Sequence, residues 1–188
     1  DLVRSRGLGD VYKRQDIAKS SKYVDDVVVS TEDSEIASIV EKYGTSVVKR
    51  PVELATDETL LDTVIYDAML QKEKQAFDEY DIVITIQPSS PLLKTETLDK
   101  AIEKFADFNI DSVISVVDDK NLRWGFDDEN GRYFPFYSER LYRDLLPKTF
   151  KETGGILATR RNFVTETSRL GLNIDPVSYT HLRAHETV

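Results

Sequence analysis

The sequence predicts an α/β protein organised around a mostly parallel sheet, and three observations lead there. Ile82, Val83, Ile84 and Ile86 form an apolar run without the polar alternation of a half-exposed strand, and Pro88-Ser89-Ser90-Pro91 stops it. Such a run, rich in β-branched residues, reads as a strand buried on both faces of a parallel sheet. Short strands of this kind alternate along the chain with segments of helical periodicity, which implies parallel strands joined by right-handed crossovers. A length of 188 residues is enough for one domain with a sizeable core.

Residues 1–15 show neither helical nor strand periodicity, and residues 178–188 are equally out of character. Both ends resemble translated sequencing-adapter read-through, so the folded unit is expected to span 16–177. Within it, Val27-Val28-Val29 reads as a short buried strand. Asp33 or Ser34 caps the next helix, whose apolar face is Ile36, Ile39, Val40 and Tyr43, and Gly44 ends it. Ser46-Val47-Val48 is the next strand, and a helix from about Asp57 turns Leu60, Leu61, Val64, Ile65 and Ala68 inward. Leu98, Ala101, Ile102 and Phe105 mark a helix after the central strand, and Asp111 to Val117 is a further strand.

The pattern then changes. Trp124, Phe126, Tyr133, Phe134, Phe136 and Tyr137 flank Asn130-Gly131, a hairpin signal. The segment at about 123–152 reads either as an aromatic-lined hairpin over the sheet or, the reading favoured because aromatic residues concentrate in interface cores, as a dimerisation insert. Gly154-Gly155-Ile156-Leu157-Ala158 returns the chain to the sheet, and Arg160, Arg161 and Arg169 add positive charge of undetermined direction.

Composition narrows the function. The formal charge of −9 leaves no general basic face for a nucleic acid, so any anion site must gather its cations locally. The absence of cysteine excludes disulfides and thiolate metal sites and fits a cytoplasmic protein. No apolar run reaches membrane length. The two histidines, His181 and His185, fall in the terminal stretch set aside above, which argues against His-based catalysis. In open α/β sheets ligands bind beyond the carboxyl ends of the strands. That edge of the central strand offers Gln87, with both donor and acceptor for a polyhydroxylated ligand, and the hydroxyls of Ser89 and Ser90.

Four segments together resemble the acylneuraminate cytidylyltransferase family. They are Val-Val-Val-Ser-Thr-Glu-Asp from Val27, Arg-Pro-Val-Glu-Leu-Ala-Thr-Asp from Arg50, Gln-Pro-Ser-Ser-Pro-Leu from Gln87 and Leu-Pro-Lys-Thr-Phe-Lys-Glu-Thr-Gly from Leu146. The resemblance implies a three-layer α/β/α fold of the nucleotide-diphospho-sugar transferase type and a homodimer whose partner arm helps close each sugar site. It implies a reaction in which CTP and a sialic-acid-like nonulosonic acid give the CMP-sugar and pyrophosphate, with Mg²⁺ assisting. By the same resemblance Gln87 contacts the sugar, Arg50 stands beside the nucleotide, and backbone groups near Asp57, Thr59 and Leu61 border the cytosine. Arg143 and Lys148 would bring cations toward the sugar carboxylate.

The departures are equally specific. The family's Gly-rich triphosphate loop has no counterpart, since Gly7-Leu8-Gly9 follows no apolar strand. The later Asp-x-Asp that anchors Mg²⁺ is also missing; Asn173-Ile174-Asp175 only looks like it. Asp118-Asp119 imitates a metal pair at a position to which the family gives no role. Leu145 stands where many relatives have aspartate. The chain is therefore expected to be truncated at both ends and, as it stands, inactive in CMP transfer. Kdo cytidylyltransferases resemble the same fold but carry an acidic residue where this chain has Ser89, which favours a nonulosonic acid. A non-catalytic dimerising fragment is the alternative outside enzymology.

Overall fold

The computed structural model describes residues 13–87 and 93–179. Ser89, Ser90, His181, His185 and Gly7-Leu8-Gly9 lie outside the described residues. The first described helix, α1, covers residues 13–19 and so takes in three residues of the segment set aside as foreign. It carried no apolar signal because two of those residues, Arg14 and Gln15, are polar yet buried. Gln15 Oε1 accepts the Thr45 hydroxyl at 2.6 Å, which binds α1 to the start of a strand.

That strand, β2 (Ser46–Lys49), runs parallel to β1 (Val28–Thr31), and α2 (Ser34–Lys42) connects them. Asp33 caps α2, its carboxylate accepting the Glu35 and Ile36 amides at 2.7 and 3.2 Å. Gly44, at φ +67°, supplies the left-handed turn that ends it. The helix expected from Asp57 begins later, as α3 (Leu61–Ala76). Residues 56–59 form a turn instead, closed by the Thr59 amide on the Thr56 carbonyl at 3.2 Å and by a 2.8 Å contact between the two hydroxyls. Leu60 and Leu61 are consequently 61% and 38% exposed, and the inward face starts at Val64.

The second sheet has the order β3-β7-β4-β8, where β3 is Ile82–Ile86, β4 is Ser112–Asp118, β7 is Phe150–Arg160 and β8 is Ile174–Ser178. β3, β4 and β8 run one way and β7 the other, since β7 is antiparallel to both neighbours while β8 is parallel to β4. The reversal has a simple origin. β7 returns from a hairpin excursion rather than from a helical crossover, so the sheet is mixed. The hairpin is β5 (Trp124–Asp127) with β6 (Arg132–Pro135), turned at Gly131 with φ +64°.

Among the described residues no strand pairing joins β1–β2 to the four-stranded sheet. Among the described residues β3 is therefore an edge strand and, apart from buried Thr85, only half-buried, where the apolar run predicted burial on both faces. The amino ends of β1 and β3 are linked through Asp26, which accepts the Tyr80 hydroxyl at 2.8 Å and pairs with Lys72 at 3.2 Å.

α4 (Thr95–Glu103) lays Leu98 and Ala101 against Val113, Ile156, Ala158 and Val177 to form the core. Leu98 is fully buried, and truncating such a residue to alanine typically costs about 2–5 kcal/mol. The fold continues through the boundary expected at 178. Ser178 ends β8, and Tyr179 is buried in the core with its amide on the Val116 carbonyl at 2.8 Å.

Candidate active site

Side chains alternate across β3. Ile82, Ile84 and Ile86 pack on the core, which sends Val83, Thr85 and Gln87 to the other face. There the Thr85 hydroxyl accepts Arg169 Nη1 at 2.9 Å, and Arg169 Nε donates to Asp62 in the first turn of α3. Two residues beyond Thr85, Gln87 lies over Gly154 of β7. A Cβ on that glycine would stand 3.0 Å from Gln87 Oε1 and 3.5 Å from Cδ. Gly154 also has φ +70°, so its backbone disfavours a side chain, and a Cβ there would push against the Gln87 carboxamide.

Arg50 sits at the carboxyl ends of β1 and β2. Its Nη2 donates to the Ser30 carbonyl at 2.8 Å, Nε reaches the Ser30 hydroxyl at 3.4 Å, and Nη1 pairs with Glu32 at 3.4 Å. It is thus a held, half-buried guanidinium rather than a free surface cation. Asp57 is exposed in the turn before α3, Thr59 is bonded to Thr56, and Leu61 opens the helix beside Leu60. Val52 is likewise an exposed apolar residue close to Arg50 in sequence.

Arg143 and Lys148 lie on the arm between β6 and β7 and are exposed. No hydrogen bond or ion pair joins either to Gln87 or Arg50 within the described residues. The arm is anchored at its base by Asp119, which accepts from Arg123 and Asn121, while the Thr149 carbonyl takes the Asp119 amide at 2.9 Å. The Arg123 guanidinium, then the Asn121 amide, holds the Asp119 carboxyl below its ordinary value. Leu122, Phe136, Tyr137, Leu146 and Pro147 line a shallow groove of about 220 Å³ there.

The three arginines of undetermined direction are structural. Arg160 donates to the carbonyls of Ile110 and Phe105 at 2.8 and 2.9 Å, Arg161 pairs with Glu73, and Arg169 with Asp62. Asp119 and Asp175 are committed to Arg123 and Lys104, and no group of three or more metal-ligating side chains stands together among the described residues. The described residues therefore present no preformed set of carboxylates for a Mg²⁺ ion.

Sequence reasoning missed Gly154, Ser115, Thr153 and Arg169 as parts of this edge. The Thr-Gly-Gly run was the available signal, since paired glycines within a strand mark a bulge or a close approach.

A family model described as cytidylyltransferase matches residues 15–124. Post-translational flagellin modification protein B of Campylobacter coli is 37% identical over 101 residues, covering 53% of this chain and 43% of that protein. N-acylneuraminate cytidylyltransferase A of Danio rerio is 34% identical over 108 residues, covering 57% and 24%. The 3-deoxy-manno-octulosonate cytidylyltransferase of Thermodesulfovibrio yellowstonii is 34% identical over 128 residues, covering 59% and 48%. The chain thus spans less than half the length of these curated relatives. A solved CMP:2-keto-3-deoxy-manno-octonic acid synthetase complexed with CTP superposes with TM-score 0.59 at 14% identity, covering 94% of this chain and 82% of that one. That likeness carries the three-layer α/β fold. No helix among the described residues is long and apolar enough to cross a membrane.

Proposed function

Because the chain belongs to the cytidylyltransferase family, we propose that it is part of an enzyme that transfers CMP from CTP to a sialic-acid-like nonulosonic acid. The sugar's anomeric hydroxyl attacks the α-phosphorus. A new oxygen–phosphorus bond forms as the bond to the bridging oxygen breaks, pyrophosphate leaves, and the hydroxyl proton passes to solvent. The protein's share of such a reaction is in-line positioning and relief of negative charge.

The observation that carries this reading is Gln87, its carboxamide held over Gly154 at the carboxyl edge of β3. Gln87 reads sugar hydroxyls, with Ser89 and Ser90 in the turn that follows. Arg50 stands beside the nucleotide, and the segment from Asp57 through Thr59 to Leu61 borders the cytosine. Arg143 and Lys148, exposed on the arm, serve the sugar carboxylate of a second copy in a homodimer. The exposed Trp124, Tyr133, Phe134 and Phe136 support the arm as the dimer surface. A reaction that draws on CTP is assigned to the cytoplasm.

A Kdo substrate is the second reading, favoured by the similarity to the Thermodesulfovibrio yellowstonii protein. Ser89, where the Kdo enzymes resembling this fold carry an acid, weighs against it. Titration of the chain with N-acetylneuraminate and with Kdo decides between them, beside radiolabelled CTP turnover by a version with both the triphosphate loop and the Asp-x-Asp segment restored. Preference for N-acetylneuraminate in both is expected. Preference for Kdo overturns the assignment, and turnover of neither sugar overturns the activity.

A further inference from the structure

Between Ile114 and Val116, β4 contributes one residue, Ser115, while β7 contributes four, Thr153 to Ile156, before the register resumes at Leu157. An excess of this size would leave buried amides and carbonyls without ladder partners. Two buried hydroxyls supply them. The Ser115 hydroxyl lies 2.7 Å from that of Thr153 and accepts the Ile156 amide at 2.8 Å. Thr153 Oγ1 donates to the Ser115 carbonyl at 3.1 Å, and the Gly155 amide points at it from 3.4 Å. Each hydroxyl has one proton, so the arrangement has one consistent assignment. Thr153 donates to the carbonyl, Ser115 donates to Thr153, and each oxygen accepts a β7 amide.

The bulge so locked contains Gly154, whose backbone faces the Gln87 carboxamide. We propose that Ser115 and Thr153 are positioning residues that fix the direction of the Gln87 side chain by holding Gly154 beneath it. Neither touches the sugar; both act through the bulge. The proposal rests on Gln87 reading the sugar, and its test separates the two claims.

The ¹⁵N-labelled 188-residue chain carries its own reporter, the Gln87 carboxamide resonance, identified by its disappearance in Gln87→Ala. In the parent this resonance should show a heteronuclear NOE near that of the ordered backbone and should shift when N-acetylneuraminate is added. Ser115→Ala and Thr153→Val should drop the NOE to that of an exposed glutamine and weaken N-acetylneuraminate binding roughly tenfold, the loss expected for one polar contact. Thr153→Ser, which keeps the hydroxyl, should retain both. Ser112→Ala is the control. That hydroxyl is equally buried on β4 and bonded to Thr159, but stands away from the bulge, and its loss should leave Gln87 ordered. An ordered Gln87 in both bulge variants overturns the proposal, as does equal disorder in Ser112→Ala. Should Gln87→Ala leave N-acetylneuraminate binding unchanged, the sugar-reading role fails while the NOE still decides the positioning.

Discussion

Arg161 grips Glu73 through both carboxylate oxygens, Nε standing 3.0 Å from Oε1 and Nη2 2.8 Å from Oε2. Glu73 is only 8% exposed and also accepts the Tyr80 amide, so one carboxylate fastens α3 to the end of β7 and the approach to β3. Glu73→Ala would strand a half-buried guanidinium and a backbone donor. We expect a loss of about 3 kcal/mol, read by urea denaturation, with Glu73→Gln intermediate. An unchanged midpoint would mean that water replaces the carboxylate without cost.

Phe77 ends α3 at φ 56° with its ring 95% exposed. A left-handed conformation is strained for a residue with a Cβ, and here no burial compensates. Phe77→Gly should stabilise the chain by about 0.5–1 kcal/mol, visible as a higher Tm.

Trp124, the single tryptophan, stacks edge-on against Tyr137 at 5.8 Å and neighbours Arg123, so its fluorescence reports the base of the arm. The folded Asp119 carboxyl is more acidic than the unfolded one. Its contribution is therefore complete above the unfolded value, about 3.9, and is lost as pH falls through the lower folded value. Acid titration should show a Trp124 transition below about pH 4 that Asp119→Asn removes. A transition that persists in the variant would assign it to other carboxylates.

Exposed Tyr133 and Phe134 predict self-association through the arm. Sedimentation velocity should find a dimer that Phe134→Glu converts to monomer, since a charge at the centre of an interface is costly to desolvate.

Two strands alone make a marginal sheet, whereas β7 is paired along both edges. Hydrogen exchange should therefore be faster by orders of magnitude in β1–β2 than at Ile156 and Ala158. Equal protection would show that the two sheets open as one unit.

Much of this architecture was legible because it is local. Asp33 and Gly44 bracket α2 where cap chemistry put them, and Asn130-Gly131 turned the hairpin as expected. What escaped reading depends on distant partners. α1 buries Arg14 and Gln15 through contacts that no periodicity signals. The β7 bulge is specified by Ser115, nearly forty positions upstream of Thr153, and the direction of β7 by the arm that precedes it. The late start of α3 reflects a threonine pair competing successfully with the helix. For the candidate site, the carboxyl edge of β3 pointed to Gln87, but the glycine beneath it became visible only when β7 was placed antiparallel alongside.

Asp26 joins the two sheets at the amino ends of β1 and β3, while Arg50 and Gln87 stand at the opposite ends, one on each sheet. Among the described residues no shared ladder sets the gap between them. It is set the way the opening of a pair of tongs is set, by the rivet and by the packing of α3. Lengthening or loosening the contact of Asp26 with Tyr80 and Lys72 would thus change the span between Arg50 and Gln87 without altering either residue.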